Sequence, residues 1–220
     1  MHEKSETTRT IELPSIDSNV PDNLETATFA LGWFWGPDAQ FGIIKGVYRT
    51  RVGYTGGEKS NPTYRALGNH TEALQVEFDP VQISYKEIVN TFWMSHNPVG
   101  MLRGSQYKSA IWFANEVQHE IIKQTIIPLT QRYERELTTQ VLPFTTFYNA
   151  EDYHQKYILQ RNDKIMKAFS QMYPIFQGIV DSTAAARLNG FSAGQGKREL
   201  FDAEKESYGL DPSELEKLFR

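Results

Sequence analysis

The sequence predicts an α+β fold: a central mixed sheet flanked by helices, in a single domain with a helical C-terminal tail. Three observations carry this. Leu74, Val76 and Phe78 alternate with polar residues, the period of a strand with one buried face. Candidate strands and helices follow one another without strict βαβ alternation, which argues against an α/β sheet. The chain has 220 residues, 40% hydrophobic and 23% charged, enough for one sizeable core with an appended element.

Residues 1–25 are polar, with Glu3, Glu6, Glu12 and Asp17, and read as a flexible leader lacking the apolar stretch of a secretory signal. Residues 26–31 read as a buried strand, with Gly32 as the turn after it. Gly36-Pro37-Asp38 opens a short helix, because Pro and Asp suit a first turn. Residues 47–54 give a second strand, which runs into the Gly/Asn/Pro-rich loop GYTGGEKSNPTY at 53–64. The alternating strand around Leu74 comes next, then the helix of SYKEIVNTFW, where Ser84 and Glu87 are spaced as a capping box. SAIWF (109–113) is a short strand and 117–137 a long helix interrupted near Pro128. QVLPFTTFY (140–148) is strand-like, while 150–159 and 162–173 are helical. From about Gly178 small residues dominate, and DPSELEKLFR forms a capped amphipathic end helix. The expected division is a leader at 1–25, a domain at 26–177, and a tail at 178–220 that packs on it.

The formal net charge of −4 leaves no basic footing for nucleic acid. No run of eighteen apolar residues is present to span a membrane. The absence of cysteine rules out disulfides and thiolate metal sites and fits a cytoplasmic protein. GYTGGEKS imitates a phosphate loop, but Glu58 stands at the second glycine position and would repel phosphate. His2, His70, His96, His119 and His154 share no i,i+3 or i,i+4 pair, so they read as surface or capping residues and no metal is expected. Trp33, Phe34 and Trp35, with Tyr54, Tyr64, Tyr107 and Glu72, form either a cage or ordinary core; composition and spacing alone stop there.

The motifs FALGWFWGPDAQFG, VGYTGGEKSNPTYRALGNHTEALQVEFDP, QYKSAI and TFYNAEDYHQKY, in this order, resemble the methionine sulfoxide reductase A family over roughly residues 26–160. The short NPTYRALGNHTE link and the DSTAAARLNGF tail resemble a branch with a compact loop. The resemblance implies reduction of the S-epimer of methionine sulfoxide, in proteins or as the free amino acid. No bound cofactor is implied, only an external thiol reductant of thioredoxin or glutaredoxin type.

The family signature is Gly-Cys-Phe-Trp-Gly; here it is Gly32-Trp33-Phe34-Trp35-Gly36, with tryptophan at the nucleophile position. A thiolate or selenolate there attacks the sulfoxide sulfur, and indole offers only an N–H donor. By resemblance, Phe34 and Trp35 bind the substrate methyl group, Glu72 donates a proton to the sulfoxide oxygen, and Tyr64 and Tyr107 hydrogen-bond that oxygen. The family's aspartate five residues before the second tyrosine is Leu102, and the signature's later glutamate is Asp38. Selenocysteine occupies the nucleophile position in some members, and its UGA codon is one base from the UGG of tryptophan. Residue 33 is therefore read as a mistranslated selenocysteine codon or a substitution. The alternative is an inactive homologue that binds methionine sulfoxide or is a relic. Since burying a large aromatic ring is worth a few kcal/mol, Trp33 is expected to turn inward and plug the cage.

Overall fold

The computed structural model describes residues 12–101 and 104–219. Six strands form one sheet: β1 (Glu25–Leu31), β2 (Val47–Thr55), β3 (Thr71–Phe78), β4 (Ser109–Phe113), β5 (Gln140–Pro143) and β6 (Phe147–Asn149), ordered β5-β4-β1-β3-β2-β6. Only β4 and β5 run parallel; every other pairing is antiparallel. The mixed α+β architecture of the sequence reading is what the chain adopts.

The register places Phe29 opposite both Leu74 and Ile111, and Val52 opposite Leu74. These apolar residues belong to the main core, joined by Ile88, Val89 and Phe92 of α3 (Tyr85–Met94) and Ile122 of α4 (Glu116–Tyr133). Helix α3 starts on the expected capping box, with Ser84 and Glu87 each accepting from the other's backbone N–H. Central position changes one expectation: Thr71 to Leu74 are buried on both faces, where β2 pairs with all four and β1 with Leu74.

The stretch 140–148 is two strands rather than one, and they lie on opposite edges of the sheet. Four residue steps from Pro143 to Phe147 reach at most about 14 Å. Five strand spacings of a flat sheet would need about 24 Å. The sheet is therefore curled until its edges come within reach of a three-residue strap. Small residues make room beneath it: Ala30, Ala73 and Ala110 are buried under Leu142, Phe144 and Phe147. A Cβ at Gly53 would lie 2.4 Å from the Phe147 ring and closer still to the Tyr148 carbonyl oxygen, so no larger residue fits there without moving β6.

Two helix expectations are also corrected. Helix α4 runs unbroken through Pro128 to Tyr133, losing one backbone bond, while Trp93 Nε1–H donates to Thr125 Oγ1 at 2.9 Å and ties the helix to α3. Residues 150–159 are not an α-helix but short 3₁₀ turns at Asp152–His154 and Leu159–Arg161. Lys156 sits at φ 48° in the left-handed region, and Gln155 bonds its side chain to Val52 and Ala150 instead of facing solvent. Tertiary bonds outweigh the local helical pattern.

Helix α2 (Trp35–Gly42) follows β1 directly. The C-terminal helices α5 (Asp163–Met172), α6 (Phe176–Val180), α7 (Thr183–Ser192), α8 (Arg198–Glu204) and α9 (Pro212–Leu215) build a second apolar cluster around Phe169, Leu188, Phe201 and Tyr208. Helix α7 approaches α2 so closely that a Cβ at Gly42 would lie 2.4 Å from the Ala186 carbonyl. Of the expected leader, residues 1–11 lie outside the described residues. The turn α1 (Ser15–Ser18) is docked rather than free: the Asp17 carboxylate accepts from Tyr173, Ser182 and the N–H groups of Thr183 and Ala184 at the start of α7.

A buried ion pair pins these layers together. Asp38 in the first turn of α2 meets Lys156 Nζ at 3.3 Å, with side-chain exposures of 1% and 0%. Thr50 Oγ1, the Lys156 N–H and Asn189 Nδ2 of α7 also donate to Asp38. Burial pushes the Lys156 ammonium below its ordinary value, opposed by Asp38. Lys156→Met leaves a buried carboxylate without its counter-charge and is expected to cost about 3–5 kcal/mol. Urea unfolding measures this, and adding Asp38→Asn should recover part of the loss.

Candidate active site

Residue 33 occupies the turn between the end of β1 and the start of α2. Gly32 takes φ 90°, which glycine permits without a Cβ clash, and Phe34 is the helix N-cap. Side chains at 33 to 35 are thereby delivered to the positive end of a helix. Phe34 is buried, and Trp35 is flanked by Tyr157, stacked at 3.3 Å and 7°, and by Trp33 at 4.5 Å and 37°. Trp33 is 54% exposed. The expectation of an inward, plugging ring is corrected: Trp33 leans on Trp35 with half its surface in solvent. Stacking on an indole already held by Tyr157 gives it contact without displacing the packed core.

Glu72 reaches this region from the start of β3 and is fully buried. Its Oε1 accepts from Gln106 Nε2 at 2.9 Å, while Oε2 has no partner among the described residues. Burial pushes its carboxyl above the ordinary carboxylate range, opposed by the Gln106 amide and the Phe34 N–H. Gln106 Nε2 also donates to the Tyr107 hydroxyl at 3.1 Å. Tyr107 is pushed up to about 12, first by its hydrogen bond with Tyr64 and then by burial and the Glu72 charge. The chain of contacts Glu72–Gln106–Tyr107–Tyr64 thus gathers the expected carboxyl and both expected tyrosines beside Phe34 and Trp35. Leu102, at the position of the family aspartate, lies outside the described residues.

Three supporting residues carry no role in the sequence reading. Gln106 is one. Glu151 is another: it accepts from Tyr54 Oη at 2.7 Å and from the Tyr64 N–H at 3.0 Å, tying the 56–70 loop to the sheet. Burial pushes this carboxyl up, but those bonds outweigh it and hold Glu151 below its ordinary value. The third is His154, expected at the surface or in a cap and found 2% exposed. Trp35 Nε1–H donates to its Nδ1 at 3.2 Å, which fixes the neutral tautomer with the proton on Nε2. Phe34, Tyr64 and Tyr153 rings surround the imidazole at 4.1 to 5.1 Å. The motif AEDYHQKY carried these residues, but spacing alone could not show which face they turn inward. His70 is also buried, where it holds Gly57 and Lys59 of the compact loop.

Burial pushes His154 below its ordinary value. The unfolded chain therefore binds a proton more readily than the native one, and stability falls as pH drops below about 6.5 and through the lowered native value. Protonated Nδ1 no longer accepts from Trp35. Acidification from neutral pH is expected to shift the tryptophan emission before global unfolding, and His154→Phe should remove that early shift.

A family model for peptide methionine sulfoxide reductase matches residues 25–185. A peptide methionine sulfoxide reductase of Drosophila melanogaster is 39% identical over 192 residues, covering 86% of this chain and 76% of that protein. One from Synechocystis is 41% identical over 155 residues, 63% of this chain and 68% of the relative. Among solved structures, methionine sulfoxide reductase A of Corynebacterium diphtheriae superposes with a TM-score of 0.58 at 31% identity, covering 69% of this chain and 82% of that one. The match begins at the first residue of β1 and runs into α7, so it takes in the whole curled sheet and the site at its mouth: the chain belongs to the peptide methionine sulfoxide reductase family.

Proposed function

We propose that this pocket serves the reduction of methionine S-sulfoxide, with position 33 as the place of the attacking atom and Glu72 as the proton donor. The observation that carries the reading is Glu72: a fully buried carboxyl with a raised pKa and one oxygen without a partner among the described residues, beside Phe34, Trp35 and a pair of hydrogen-bonded tyrosines. A carboxyl whose pKa is raised by burial keeps its proton to higher pH than a solvated one and, in that protonated form, can donate to a sulfoxide oxygen as the sulfur is attacked. A thiolate or selenolate at position 33 would form a bond to that sulfur; the oxygen then passes to the enzyme, methionine leaves, and a sulfenic or selenenic acid remains. Two external thiols return it to the starting state, forming a disulfide and water. The sequence has no cysteine to serve as an internal resolving thiol, so the reductant is external, of thioredoxin or glutaredoxin type.

Tryptophan at 33 cannot make that attack. We read the position as a selenocysteine codon rendered as tryptophan, or as a substituted cysteine. The test is codon 33 in the transcript, together with a search for a selenocysteine insertion element downstream. UGA supports the selenolate enzyme, and UGG in a clean transcript sinks it. The exposed pose of Trp33 favours a second reading, an inactive homologue that still holds the sulfoxide side chain. Epimer-selective binding of a methionine S-sulfoxide peptide without turnover would support it.

A further inference from the structure

A cleft of about 510 Å³ lies beside the candidate site. It begins at Leu31, two residues before Trp33. One wall is formed by Ser105 and Lys108, which bracket the Gln106 and Tyr107 that serve Glu72. Asn97, Met101 and Gln140 also line it, with Gln140 opening the edge strand β5. The outer side of that strand is unpaired in the sheet, so its main chain can meet an extended polypeptide.

Lys108 is the only Lys, Arg, Asp or Glu among the described residues lining this cleft. Its Nζ lies 5.9 Å over the Trp112 ring and has no ion-pair partner among the described residues. Burial without a counter-charge also pushes this ammonium below its ordinary value. Among its described lining residues the cleft therefore has no carboxylate, and it offers far more room than a free amino acid whose side chain is already in the cage would fill.

Resting on the reading of the pocket as a methionine sulfoxide site, we propose that the cleft takes the polypeptide flanking the sulfoxide and that Lys108 pairs with an acidic side chain in it. The preferred substrate is an acidic stretch of an oxidised protein, ahead of the free amino acid. Asn97 and Gln140 supply amide groups for the main chain, and Met101, 90% exposed, gives an apolar lip.

Two measurements test this. In the first, Trp33→Cys protein reduces peptides in which methionine S-sulfoxide is flanked by Asp or by Lys, with free methionine sulfoxide as a third substrate. In the second, fluorescence polarisation follows binding of the same labelled peptides to the Trp33 protein. The Asp peptide is expected to be favoured about three- to tenfold, and Lys108→Glu should reverse the order. Equal reduction of the Asp and Lys peptides, or preference for the free amino acid, overturns the inference and leaves the reductase reading standing. Charge-selective binding that Lys108→Glu reverses, with no reduction by Trp33→Cys, supports the cleft and favours the inactive homologue that still holds the sulfoxide side chain. Absence of both binding and reduction overturns both.

Discussion

Trp33→Cys is expected to turn a chain with no turnover into one that reduces methionine S-sulfoxide with dithiothreitol and leaves the R-epimer untouched. The position already has what a thiolate needs. It follows Gly32 in a left-handed turn and precedes the N-cap of α2, where the helix end lowers a thiol pKa. The indole it replaces is half in solvent, so its removal takes little from the core. Recycling should be slow, since no second cysteine exists to resolve the sulfenic acid. Chiral separation of the remaining sulfoxide checks both activity and selectivity. Turnover by the Trp33 protein itself would show that the proposed attack is not how this chain works. A folded but inactive Trp33→Cys protein would move the defect elsewhere, with Leu102 the first position to restore.

In that cysteine background, Glu72→Gln is expected to slow the chemical step by about 10²- to 10⁴-fold, the usual range for losing a general acid. Glutamine keeps the shape and the Gln106 contact but has no acidic proton. The sign of the pH dependence follows from the raised pKa of Glu72. The reactive form is protonated, so the single-turnover rate is full below that pKa and is lost as pH rises through it. Glu72→Gln should flatten this limb. An unchanged rate would remove Glu72 from the chemistry and leave it a structural carboxyl.

The strands of the sheet's centre were legible because alternation and Gly/Pro punctuation are local signals, as at Leu74, Val76 and Phe78. The capping box at Ser84 was legible for the same reason. The failures lie where distant residues decide. QVLPFTTFY has one composition but serves two sheet edges, a matter of curvature that no window of nine residues records. The 150–159 stretch has helical content, yet Gln155 and Lys156 are claimed by Val52, Asp38 and Thr50, all about a hundred residues away. The site divides similarly. Glu72, Tyr64, Tyr107, Phe34 and Trp35 could be named through resemblance, whereas His154 looked like a surface histidine because its burial depends on Trp35, Phe34 and Tyr64 closing around it. Trp33 was misjudged on burial area alone: the neighbouring Trp35 face offered an alternative to the interior.

The three-residue strap between β5 and β6 also orders events in time. Its strands pair only with residues far back in the chain, Gln140 with Ala110 and Asn149 with Gly53, and neither edge can close before the centre has assembled. What closes last through short edge pairings opens readily. Immediately after β6 come Glu151 and His154, which hold Tyr54, Tyr64 and Trp35. Transient opening of this seam therefore dismantles the catalytic mouth while the β1–β3 centre survives. Amides of Tyr148 and Asn149 should exchange with solvent deuterium well before that of Leu74, and pocket-dependent activity should fade at lower urea than the core unfolds.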